Sequence, residues 1–121
     1  MREGARKMSE RFPPPYWYIL KVIDALESAG HHLTLYEFIP LFLELCRREQ
    51  SIPYEVRETP KGLVSVEFLF DLVEMITNSR MLILLEPGHI LSLTPKGRQE
   101  LLKYKDPSFD EKVIFELIGK E

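Results

Sequence analysis

His31, His32, Glu37 and Cys46 stand close together in the chain, and they are the residue types that hold transition metals or carry nucleophilic chemistry. Their spacing argues against both. Adjacent histidines in an extended segment point to opposite faces, and metal sites use spaced pairs such as C-x-x-C or H-x-x-x-H. Cys46 follows Leu41-Phe42-Leu43-Glu44-Leu45, where a thiol behaves as a small buried hydrophobe. No G-x-S-x-G elbow is present, and the six glycines form no phosphate-cradling loop. The acidic pairs Glu67/Asp71 and Asp110/Glu111 read as solvated helix faces or first-turn charges. Neither has a visible partner that would raise a pKa for acid–base work. The expectation is a non-enzyme that needs no cofactor and no metal.

Binding chemistry is the remaining class. Arg2, Arg6, Lys7 and Arg11 form a basic arm, Arg47 and Arg48 a second positive pair, and Lys96 and Arg98 a third. Cations of this kind neutralise phosphates on duplex DNA. They are equally well read as ordinary solubilising charges. A net charge of −3 weighs against a dedicated nucleic-acid binder.

These residues must be held by regular elements. Residues 1–12 read as a mobile, slightly basic arm, ended by Pro13-Pro14-Pro15. The proline run suits a helix start better than a polyproline ligand. A first helix is expected over Pro15–Ser28, with Ile19, Val22, Ile23 and Leu26 on its buried face and Gly30 as its stop. His31-His32-Leu33 is extended. Thr34 and Glu37 make a capping box for a second helix, whose inner face is Phe38, Leu41, Phe42 and Leu45. Pro40 should kink that helix or mark its true start. The connection 50–63 holds a short strand around Tyr54 to Arg57. A third helix is expected from Val64 to Ser79, burying Phe68, Leu69, Leu72, Val73 and Ile76. At 100° steps its outward face is then Glu67, Phe70, Asp71, Glu74 and Asn78, which is acidic.

Two apolar β-type runs flank Glu86-Pro87-Gly88-His89, a hairpin signal. Thr94-Pro95 caps a fourth helix anchored by Leu101 and Leu102. Ser108 with Glu111 opens a last helix that turns Phe109, Val113, Ile114, Leu117 and Ile118 inward. The chain thus reads as mostly α with a small β-hairpin.

The order helix, short strand, helix, helix, hairpin resembles the winged helix-turn-helix superfamily. The stretch MLILLEPGHILSLTPKGRQEL, Met81–Leu101, is similar to the wing of prokaryotic members. There a hairpin runs into an LT-x-KG-R-x-x-L helix start, here Leu93, Thr94, Lys96, Gly97, Arg98 and Leu101. The layout from Ile19 to Tyr104 also resembles, more loosely, the antitoxin-like Panacea winged-helix family. It departs from that family in having Leu41–Leu45 where a basic run often marks the second helix.

The resemblance implies a winged-helix (α+β) domain over 13–105, with residues 106–121 as an appended helix packed on the same domain or at a dimer interface. It implies a DNA-binding transcriptional regulator whose third helix enters the major groove. Arg2, Arg6, Lys7, Arg11, Arg47, Arg48, Lys96 and Arg98 are the candidate contacts to double-stranded DNA. The alternative is a protein-interaction module using Glu67, Phe70, Asp71 and Glu74. The apolar last helix adds the expectation of a homodimer.

Composition sets the outer bounds. At 121 residues the chain makes one domain, and with 45% hydrophobic and 29% charged residues it is a globular rather than a disordered sequence. No apolar run approaches the ~18 residues of a membrane span. The charged start of the chain, with no apolar stretch, does not read as a signal peptide, and a single cysteine fits the expectation of a reducing, cytoplasmic setting. Few thermolabile residues (Asn78, Gln50, Gln99 and Cys46) against many charged ones resemble a thermophile composition.

Overall fold

A computed structural model of the protein describes residues 12–119. The proline run starts the first helix as its chemistry dictates. Pro14 is the N-cap of α1 (Pro15–Ser28), and Pro15 occupies the first helical position, where a missing N–H costs nothing. At the other end Gly30 takes φ +86°. His31 N donates to Leu26 O at 2.8 Å and Gly30 N to Glu27 O at 3.0 Å, the paired bonds of a Schellman stop. Trp17, Tyr18, Ile19, Leu20, Val22, Ile23 and Leu26 are all buried, so α1 is wrapped on more sides than the single expected face. It is the central helix of the fold.

Thr34 caps α2 (Leu35–Arg48) with both bonds of the expected box: Glu37 N donates to Thr34 Oγ1 at 3.1 Å, and Thr34 N to Glu37 Oε1 at 2.9 Å. Phe38, Leu41, Phe42 and Leu45 are buried as expected, joined by Leu43 and Cys46. Pro40 does not mark the helix start. It lies exposed inside the continuous helix, where the ring meets solvent and costs one backbone bond.

The connection to the third helix is a second hairpin, which the sequence reading did not anticipate. β1 (Arg57–Thr59) pairs antiparallel with β2 (Gly62–Val64). Thr59 Oγ1 accepts Lys61 N at 3.1 Å and donates to Gly62 O at 2.7 Å, and Gly62 takes φ +120°. The expected strand at Tyr54 is instead core: the Tyr54 ring packs edge-on against Phe42 and Phe68.

Ser65 caps α3 (Val66–Thr77), accepting Phe68 N at 3.3 Å, so this helix begins two residues later than expected. β3 (Leu82–Leu85) and β4 (Ile90–Leu93) form the expected hairpin around Glu86–His89, in the register Leu82↔Leu93 to Leu85↔Ile90. The segment before α2 lies along β4: Thr34 bridges Ile90, Leu91 N donates to Leu33 O, and Leu35 N donates to His89 O. Thr94 then caps α4 (Pro95–Leu101) through Gly97 N at 3.1 Å. Leu101 is half-buried, but Leu102 is 83% exposed and is no anchor, because it falls past the helix end.

The last helix, α5 (Lys112–Gly119), starts later than the Ser108 box predicts. Asp106 Oδ1 takes Ser108 N and Oγ, and Asp110 Oδ1 accepts Lys112 N at 3.0 Å, so aspartates do the local capping. Ile114 and Leu117 are buried against the body of the protein, where α5 packs on α2, and Phe109 meets the Tyr18 ring edge-on at 5.8 Å. Val113 and Ile118 are half-buried. Three of the five apolar residues that suggested a homodimer, Phe109, Ile114 and Leu117, are thus covered by their own chain. The described residues form a mixed α+β fold of five helices and two antiparallel hairpins. None of those helices is long and apolar enough to cross a membrane.

Candidate functional site

Eight of the twelve residues of α3 are apolar, so periodicity alone leaves its orientation underdetermined. Packing decides it. Phe68 stacks on Phe42 at 4.7 Å, and with Leu72 and Met75 it forms the inward face, continued by the buried cap Ser65. Met75, not Val73, is the third anchor. Val73 was expected inward and is 57% exposed, while Leu69 and Ile76 are only half-buried.

This orientation brings Val66 and Phe70, each 74% exposed, into line with Val73. Spacings of four and three residues place all three on one stripe, continued by Thr77. The centre of the outward face is therefore apolar. The carboxylates expected there form one edge of it. Glu67 is exposed; Asp71 is half-buried and accepts the Tyr54 hydroxyl at 2.5 Å; Glu74 is half-buried and accepts the Asn78 amide at 2.9 Å. Burial and the bond to Asp71 push the Tyr54 hydroxyl far above its ordinary pKa, which keeps it a donor.

The basic candidates are not gathered into one surface. Arg47 and Arg48 both hold Glu44, at 2.5 and 3.0 Å. Arg47's hydrogen bond is the main reason the Glu44 carboxyl lies below its usual range; burial opposes it, and the Arg48 hydrogen bond adds to the lowering. Arg98 reaches back to α1 and pairs with Asp24 at 3.4 Å and Glu27 at 3.0 Å. With the C-cap Glu49 counted, Glu44, Arg47, Arg48 and Glu49 leave no net charge at the end of α2, and Arg98 between Asp24 and Glu27 leaves that cluster net negative. Lys96 is exposed, with no carboxylate at ion-pair distance among the described residues. Arg2, Arg6, Lys7 and Arg11 lie outside the described residues.

The metal-type residues are dispersed. His31 is half-buried, its ring 6.2 Å from that of Phe115 and beside a small cavity lined by Leu26, Glu27 and Phe38. His32 is exposed, and His89 holds Glu86 at 2.5 Å in the hairpin turn. Burial pushes the Cys46 thiol up to about 12, the behaviour of a structural cysteine. Among the described residues no three His, Cys, Asp or Glu side chains gather as a metal site. No known protein family, curated protein or solved structure matches the chain.

Sequence reasoning missed Val66 and Val73 as surface residues. It also missed three consecutive side chains that tie α1 to the end of the fold. Tyr16 donates to Glu100 at 2.5 Å, Trp17 Nε1 to Leu101 O at 2.9 Å, and Tyr18 to Asp106. Their signal was available: aromatic residues with a polar tip, clustered at a helix start.

Proposed function

We propose that this chain is a winged-helix module that binds another protein through the outward face of α3. One observation carries the reading: Val66, Phe70 and Val73 stand exposed and aligned on the helix that such a domain uses for recognition. The winged-helix part is supported by the element order, by Thr34 bridging Ile90 as a minimal third strand, and by the β3–β4 hairpin running into the Thr94 cap. The reading includes no catalytic step. Exposed aromatics that become buried are the residues that dominate binding energy at protein interfaces.

The same layout favours a second reading, duplex DNA binding by a transcriptional regulator. Its charges fit less well: α3 carries no Lys or Arg from Val66 to Thr77, and three of the four candidate cations outside the arm, Arg47, Arg48 and Arg98, are held by carboxylates. Phosphate binding needs free cations.

Fluorescence anisotropy of the full chain with a labelled random-sequence duplex, at low and moderate salt, separates the two. The expected result is no salt-sensitive DNA binding, together with peptide binding that Phe70→Asp abolishes. Duplex binding that survives Phe70→Asp and falls steeply with salt would overturn the protein-binding reading in favour of DNA.

A further inference from the structure

Three features of α3 together describe its partner. Val66, Phe70, Val73 and Thr77 follow the four-three-four spacing by which one helix lies along another. The stripe runs straight for three turns, about 17 Å. It offers no exposed backbone edge to an extended strand. Glu67, Asp71 and Glu74 repeat the four-three spacing along one side of the stripe, while the other side is edged by the half-buried Leu69 and Ile76. Neither Glu67 nor Glu74 has a cation at ion-pair distance among the described residues; Glu74 meets only an amide.

We infer that the partner of α3 is an amphipathic helix whose apolar seam is bordered on one side by lysine and arginine. The inference rests on the protein-binding reading above. Charge complementarity selects this occupant. A second copy packed through the same stripe would bring Glu67 and Glu74 against carboxylates, with no cation between Val66 and Thr77 to meet them. Phosphates of a duplex or of an anionic lipid surface would meet the same repulsion. Residues 1–11 supply cations, but their four-three positions Met1, Ala5 and Met8 offer only two large apolar side chains, and Gly4 weakens a helix there.

The test is a surface-displayed library of three- to four-turn helical peptides, randomised at seam and edge positions and selected on the full-length protein. Enriched peptides are expected to carry large apolar residues on the seam and Lys or Arg along one edge. Their affinity should fall at least about tenfold on Phe70→Asp and about tenfold on Glu67→Lys with Glu74→Lys. The lysine variant should in turn prefer acidic-edged peptides. Phe70→Ala serves as a second variant, and circular dichroism checks that each variant is folded.

Enriched peptides that need Phe70 but carry neutral or acidic edges would overturn the basic-edged partner and leave the protein-binding reading standing. A selection that yields no Phe70-dependent peptide overturns both.

Discussion

Gly97 gives the sharpest structural prediction, because a single methyl group there meets backbone rather than a movable side chain. A Cβ built at Gly97 would lie 2.3 Å from Met81 O, 3.2 Å from Met81 C and 3.3 Å from Leu93 Cδ2. An ordinary carbon–oxygen contact is about 3.3 Å or longer. The overlap is therefore about 1 Å, and it falls on a carbonyl that also accepts Thr94 N at 3.1 Å. Relief requires the start of α4 to move off Met81. Overpacking of this kind costs about 1–3 kcal/mol, and the loosened Thr94 bond about 1 kcal/mol more. Alanine gains about 1 kcal/mol over glycine in helix propensity. The balance predicts that Gly97→Ala loses about 2 kcal/mol, or roughly 6–10 °C in Tm for a domain of this size. Urea unfolding followed by circular dichroism reads the change as a lower midpoint at an unchanged slope. Gly119, where an added Cβ meets nothing within 4 Å, is the control, and Gly119→Ala should stay within about 0.5 kcal/mol of wild type. If Gly97→Ala matched or exceeded wild-type stability, the close approach of α4 to Met81 would be wrong.

Glu27 joins three elements: it accepts Ser92 Oγ at 2.7 Å, Leu93 N at 3.3 Å and Arg98 at 3.0 Å. Glu27→Ala should therefore cost about 2 kcal/mol, whereas Arg98→Ala, which removes an exposed partner, should cost less than about 1 kcal/mol in the same unfolding assay. At Asp106 burial raises the carboxyl pKa, but hydrogen bonds from Ser108 and Tyr18 outweigh it and the net shift is downward; at Glu100 the Tyr16 hydrogen bond leads the lowering. A folded-state pKa below the unfolded one stabilises above the ordinary carboxylate value near 4 and is lost as pH falls through the folded value. Asp106→Asn should accordingly be destabilised at neutral pH, with the deficit shrinking below about pH 4; a deficit that grows on acidification would contradict the sign. With its thiol pushed up to about 12, Cys46 should react slowly with a disulfide reagent in the native protein and rapidly in guanidinium; equal rates would show that the thiol is accessible.

What could be read from the chain was local. The Thr34–Glu37 box, the Thr94-Pro95 cap, the proline start of α1 and the Pro-Gly turn each involve residues within about four positions of one another, so the residue types alone specify them. The bounds of α1 and the β3–β4 hairpin followed from these signals. The β1–β2 hairpin escaped because its strands are three residues long and β1 is exposed throughout, leaving no alternation to see. Phe70 and the three acids of α3 were legible as outward-facing residues, but not their arrangement. With apolar residues at eight of twelve positions, α3 has several faces that satisfy a helical period, and the aromatic cluster of Phe38, Phe42, Tyr54 and Phe68 selects the one that is buried. The fate of the basic residues was equally hidden. Arg98 is held by Asp24 and Glu27, more than seventy positions away, and only the packing of α4 on α1 brings them together. A sequence records which charges exist, but the free or neutralised state of each depends on a distance of a few ångströms that only the folded chain sets.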